Sequence, residues 1–241
     1  MLSIAIAVIP GIAISLFVYF FSRYGKASLQ PLAMCFLLGM VATLPPFLLQ
    51  MLAGDVRDEP NRHSILSYAW YAFGVVALSE EGAKWLVLRG YAYGRTAFRE
   101  PFDGIVYGVM VGMGFATVEN IEYVWQFGYG TGLSRFFLSV PAHASFAVLM
   151  GYQFGLAKSE PERSGWPLWK GLLIAVGFHG SFDFFLFLQQ SREATRYVST
   201  GLLSFGSFAS FYIAVRLALR AIRMHRGDED AKEGSPEEEG R

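Results

Sequence analysis

The sequence predicts an all-α protein, a polytopic transmembrane helix bundle of about seven spans with an active site between the third to sixth helices. Three observations carry this prediction. First, hydrophobic residues make up 53% of the 241 positions and charged residues only 17%, with a mean hydropathy of +0.35, which lies on the membrane side of ordinary composition. Second, apolar windows able to cross a hydrocarbon core of about 30 Å recur at about 2–21, 31–53, 65–88, 102–125, 136–157, 169–189 and 198–219. Third, ionisable residues near the centres of these windows are confined to the third, fourth, fifth and sixth. Charges in lipid cost several kcal/mol each without partners, so groups spread over four spans are expected to meet in one place.

The first window, Leu2 to Phe21, has no basic segment ahead of it and is as long as a span, so it is expected to be a helix of the mature chain and not a signal peptide. The second carries Pro45-Pro46, which removes backbone donors and is expected to kink or break the helix. The third contains Ser79-Glu80-Glu81-Gly82-Ala83-Lys84. Glu80 and Lys84 are four apart and share a face, while Glu81 is three from Lys84 and turned from Glu80 by about a quarter of the circumference. One lysine can reach either carboxylate, leaving the other free to take a proton. A structural ion pair is the plain alternative.

The fourth span opens at Arg99-Glu100-Pro101-Phe102-Asp103, where Asp103 is expected to cap the helix. Gly104, Gly108 and Gly112 repeat every four residues and invite a close helix partner. Glu119 lies near the same face and Asn120 can bond a neighbour, whereas Glu122 is expected at the outer interface. In the fifth span His143 follows Pro141, on a face continued by Ala147, Met150, Gly151 and Gly155. In the sixth, Gly171, Ala175, His179 and Asp183 form an i, i+4 ladder, so that the carboxylate can fix the imidazole's tautomer. The seventh span has no ionisable centre.

Residues 1–226 are read as one transmembrane domain and the acidic stretch 227–241 as a disordered cytoplasmic tail. Basic residues at Arg23, Lys26, Arg89, Arg95, Arg99, Lys158, Arg163, Lys170, Arg220, Arg223 and Arg226 fall on one side of the expected membrane, with fewer on the other. The positive-inside rule then places the N-terminus outside and the C-terminus in the cytoplasm. Asp55 to His63 is read as a connector on the outer side. The single cysteine, Cys35, allows no internal disulfide.

Carboxylates and imidazoles without a thiol, or a serine and lysine in dyad positions, suit general acid/base activation of water, with or without a metal. In the metal-free form Glu80 or Glu81 is the base, His143 and His179 hold the water or the oxyanion, and Lys84, Glu119, Asn120 and Asp183 support them. In the metal form one divalent ion, zinc first, is held from among Glu81, Glu119, His143, His179 and Asp183. No His-Glu-x-x-His pattern is present, which inclines the reading to the form without a cofactor. A proton-coupled transporter or a non-catalytic membrane binding protein are the rival classes for the same buried groups.

Four motifs in order, Glu80-Glu81-x-x-Lys84, Phe102-Asp103-Gly104 through Glu119-Asn120, His143-x-x-Phe146 and His179-x-x-x-Asp183, resemble the PrsW family of intramembrane proteases. That family is related to the type II CAAX prenyl endopeptidases and the bacteriocin-immunity-like membrane proteins. The resemblance covers residues 75–190. It implies an integral protease of a bacterial or archaeal cell membrane that hydrolyses a peptide bond of a membrane-associated protein, in some members an anti-sigma factor. Its expected partners are that substrate and the lipid bilayer, with no nucleic acid. Carried over by position, it implies Glu80 and Glu81 as the catalytic pair, completed by His143 and His179, with Asp183 where the CAAX relatives commonly have Asn.

Overall fold

The computed structural model describes residues 2–21, 29–59, 64–160, 162 and 165–233; no strand occurs among them. The chain folds as α1 (Leu2–Phe21), α2 (Leu29–Val41), α3 (Leu44–Ala53), α4 (Ile65–Ala69), a π-helical segment (Trp70–Ala77), α5 (Leu78–Val87) and a second π segment (Leu88–Ala92). It continues as α6 (Pro101–Phe127), α7 (Tyr129–Phe137), α8 (Ser139–Ser159), α9 (Trp166–Leu188), α10 (Arg192–Tyr197) and α11 (Thr200–Glu233).

Six helical stretches are long and apolar enough to cross a membrane: Ser3–Phe20, Leu29–Ala53, Pro101–Phe127, Tyr129–Ser159, Trp166–Leu188 and Thr200–Met224. The remaining expected span is present as an unbroken helical run, 65–92. It does not qualify on length and apolarity because it changes winding twice and carries Glu80, Glu81, Lys84 and Arg89. Since the run extends to Ala92, Glu80 sits near its middle, which removes the depth mismatch with Glu119 that a span ending at Leu88 implies.

Two helix termini differ from expectation. The fourth span is capped one turn earlier than Asp103: Glu100 is the N-cap, Pro101 opens the helix, and Asp103 reaches back to the Arg99 and Glu100 amides at 2.9 and 3.0 Å, completing a capping box. The last helix runs to Glu233, so 227–233 is helical and not part of a disordered tail. Asp, Glu, Ala and Lys there extend a helix already nucleated upstream, which needs only propagation. Residues 234–241 lie outside the described residues.

The bundle is organised on α6, which is buried on nearly every side. It packs against α8, α2 and α1, and α8 in turn carries α9 and α11. The glycine stripe explains the closest of these contacts. A Cβ at Gly104 would fall on the carbonyl oxygen of Gly151, and a Cβ at Gly151 on that of Gly104, so the two backbones touch. With lipid as solvent there is little hydrophobic drive between helices, and such close dispersion contact is what holds them. On the opposite side α2 meets α6 where Gly39 faces Val111 and Gly114 faces the Phe36 carbonyl.

Pro45-Pro46 breaks the second span as expected, with the interruption at Ala42–Thr43. Beyond it the chain changes neighbours. Whereas α2 lies on α6, α3 packs on the first π segment and α5.

Candidate active site

The third to sixth spans bring their polar residues to one centre. α5 supplies Glu80, Glu81 and Lys84, all buried, with Glu81 fully so. Lys84 Nζ lies 2.7 Å from Glu81 Oε1, 3.7 Å from Glu80 Oε2 and 3.1 Å from His143 Nδ1 on α8. An ammonium only donates, so His143 accepts at Nδ1. This assigns the ring proton to Nε2, which stands 2.8 Å from Glu119 Oε2.

The second imidazole is held from the other side. His179 on α9 donates from Nδ1 to Glu81 Oε1 at 2.8 Å, and its Nε2 lies 3.2 Å from Asp183 Oδ2 and 3.9 Å from Glu80 Oε2. The Asp183 contact is the i, i+4 ladder read in the sequence. The two rings meet edge to face with centroids 5.1 Å apart, and Phe146 stacks on His179 at 5.2 Å. The Phe of His143-x-x-Phe146 therefore orients the histidine of the next helix. Phe115 offers its face to Lys84 Nζ at 4.1 Å.

The two glutamates thus take different positions. Glu81 is sealed behind the imidazoles, binding Lys84 and His179 through one oxygen. Glu80 lines a cavity of about 250 Å³ together with Glu119, Arg135, His143, Phe146, His179 and Asp183. Glu80 is 4% exposed and its Oε2 has no hydrogen-bond partner.

Glu119 is tied to the site by residues that the sequence did not single out. Arg135 of α7, read from sequence as an outer-loop cation, places Nη2 3.1 Å from Glu119 Oε2 and donates from Nε to Asn120 Oδ1 at 2.8 Å. Asn120 also donates to the Ala7 carbonyl at 3.3 Å, so it anchors Arg135 and α1 and stands away from the reacting groups. Gln50 of α3 donates to Glu80 Oε1 at 3.2 Å. A neutral amide in an apolar span gave no signal of this. Glu122, bonded to Gln126 at 3.0 Å, lies outside the cluster.

The donor set also suits a metal ion. Glu80, His143 and His179 each offer one ligand atom, all within 4.8 Å of one another. Two imidazoles and a carboxylate are a set that divalent zinc accepts, and the unbonded Glu80 oxygen is the kind of buried acceptor that calls for a cation or a proton. The carboxylate in this group is Glu80, whereas the set read from the sequence has Glu81, whose bonded oxygen is already engaged by Lys84 and His179.

Comparison with known proteins agrees with the geometry. Residues 27–216 match the family described as PrsW family intramembrane metalloprotease, a longer stretch than 75–190 that takes in Gln50 and most of the last span. The "Protease PrsW" of Geobacillus kaustophilus is 35% identical over 189 residues, 78% of this chain and 80% of that protein. Those of Shouchella clausii and Bacillus subtilis are 33% and 32% identical, covering 77% and 76% of this chain and 84% and 82% of theirs. No solved structure is matched. The chain belongs to the PrsW family, and it is an integral membrane endopeptidase.

Proposed function

We propose that Glu80 is the base of this peptidase and that the bond it opens belongs to a membrane-anchored protein, near the outer half of the bilayer. The observation that carries the reading is the unbonded Oε2 of a buried Glu80, facing the cavity beside both imidazoles. A water lodged there gives one proton to Glu80 while its oxygen bonds to the scissile carbonyl carbon. His143 and His179 line the same space and supply donors where the carbonyl oxygen gains charge, in a site with little water to compete. When the tetrahedral carbon collapses the C–N bond breaks, and the proton passes from Glu80 to the leaving amine. Lys84 and Glu81 hold the two rings in place from behind, and Glu119 holds His143 from the front.

The same residues allow a second form, in which Glu80, His143 and His179 hold a divalent ion, as the family's description as metalloproteases suggests. Such an ion, when bound, supplies Lewis-acid polarisation of the carbonyl and a more acidic water. The outer placement follows from the excess of basic residues on the other side, which puts the N-terminus outside.

Purified chain and a single-span model substrate test the reading. Glu80→Gln should lower turnover by about 10²–10⁴, the range that proton transfer contributes, without a fall in melting temperature. Unaltered turnover in Glu80→Gln removes the proposal. Elemental analysis and chelator treatment of the active wild type separate the two forms: activity without bound metal leaves the glutamate form alone.

A further inference from the structure

Outside the catalytic cavity the most telling space is a groove of about 650 Å³ between α3 and the C-terminal half of α6. It exists because the Ala42–Thr43 break turns α3 onto the π segment and α5 while α2 stays on α6. One wall is apolar and faces outward: Phe47 and Met51 from α3, Phe115, Val118 and Phe127 from α6. Its floor is Glu80, Gln50 and Glu119, which also line the catalytic cavity, so the groove and the site are continuous.

The mouth of the groove is acidic. Asp55 is paired with Arg57 through both carboxylate oxygens, and Glu119 with Arg135. Asp58 and Glu122, at the same mouth, have no ion pair among the described residues. Acidic residues alone would not mark a site. Here the groove also ends on the buried oxygen of Glu80 that lacks a hydrogen-bond partner, so whatever occupies it is led to the base.

We infer that this groove takes the substrate itself as an extended segment leaving the outer end of its membrane helix, with a basic side chain held by Asp58 and Glu122. The inference rests on Glu80 being the base. Apolar side chains of the segment lie along Phe47, Met51 and Phe127. Its backbone, which lipid cannot satisfy, gains polar partners from Gln50 and from water at the mouth. Substrates with Lys or Arg on the outer side of the cut are preferred over those with Asp or Glu.

The test uses full-length chain in phosphatidylcholine vesicles and synthetic peptides with an apolar span of about 20 residues, identical except for Lys, Gln or Glu in the outer flank. A photo-reactive residue is placed at position 51 or 127, or at 208 on the exposed side of α11 as control, in the Glu80→Gln background so that bound peptide is not consumed. Expected is crosslinking from 51 and 127 well above that from 208, with the Lys peptide labelled about two- to fivefold more than the Glu peptide, the worth of an exposed ion pair. The Asp58→Lys/Glu122→Lys double variant should invert that order. Equal labelling from 208, equal labelling of the Lys and Glu peptides, or an order unchanged in the double variant overturns the inference. Because binding is read without cleavage, the outcome is independent of turnover: a Glu80→Gln chain that still cuts defeats the base assignment, and the labelling pattern judges the groove.

Discussion

Lys84→Met offers the sharpest test of how the site is held together. Lys84 is buried and its ammonium serves three acceptors, Glu81 Oε1 at 2.7 Å, His143 Nδ1 at 3.1 Å and Glu80 Oε2 at 3.7 Å. Methionine keeps the length and apolar stem but strands the fully buried Glu81 carboxylate with His179 as its remaining partner. Removing one member of a buried ion pair costs about 3–5 kcal/mol. At about 2–4 °C per kcal/mol for a chain of this size, the melting temperature should fall by roughly 6–20 °C. Adding Glu81→Gln removes the stranded charge while leaving an amide oxygen for His179, so Lys84→Met/Glu81→Gln should melt above Lys84→Met alone. Turnover should stay low in both, since His143 has lost the donor that sets its ring proton on Nε2. Thermal melts in nanodiscs by tryptophan fluorescence, with peptide cleavage in parallel, read both effects. The reasoning is refuted if Lys84→Met melts within 2 °C of wild type, taking 2 °C as about the smallest shift expected for 1 kcal/mol, or if the double variant is no more stable than the single.

Two further expectations concern the supports of the site. Arg135→Met leaves Glu119 facing His143 without its guanidinium and frees Asn120; kcat should drop about tenfold or more with little change in KM, and Arg135→Lys should fall between, because an ammonium cannot span both partners. Wild-type kcat in Arg135→Met would show that Glu119 needs no such anchor. Gly151→Ala places a methyl on the Gly104 carbonyl, and should destabilise by about 1–3 kcal/mol, the usual range for overpacking. It should also slow cleavage, since α6 and α8 carry Glu119 and His143; a melt equal to wild type would mean that the helices do not touch there.

Much of this arrangement was legible in the residues. Spans were marked by unbroken apolar length, and a charge inside a span is costly enough to announce itself, so Glu80, Glu81, Lys84, Glu119, His143, His179 and Asp183 could each be named beforehand. Their order of roles could not. Glu80 and Glu81 differ by one position, and which of them faces the cavity depends on the rotation of a helix whose winding changes just ahead of them. Gln50 was silent because a neutral amide in an apolar run raises no alarm, and its reach to Glu80 depends on the direction α3 takes after the break. Arg135 looked like a loop cation because the short helix that swings it back, α7, is only nine residues long and joins the fifth span without a polar linker.

The wide winding of Trp70–Ala77 has a consequence for how such enzymes can change. A π turn arises when an α-helix accommodates one surplus residue, and each residue of an α-helix accounts for about 100° of rotation. Losing a single apolar residue between 70 and 77 would therefore swing everything downstream through more than a quarter turn, carrying Glu80 and Lys84 off their partners. Activity in this lineage can be extinguished, or the pair of glutamates made to trade places, by an indel in plain hydrophobic sequence that leaves every motif intact to the eye.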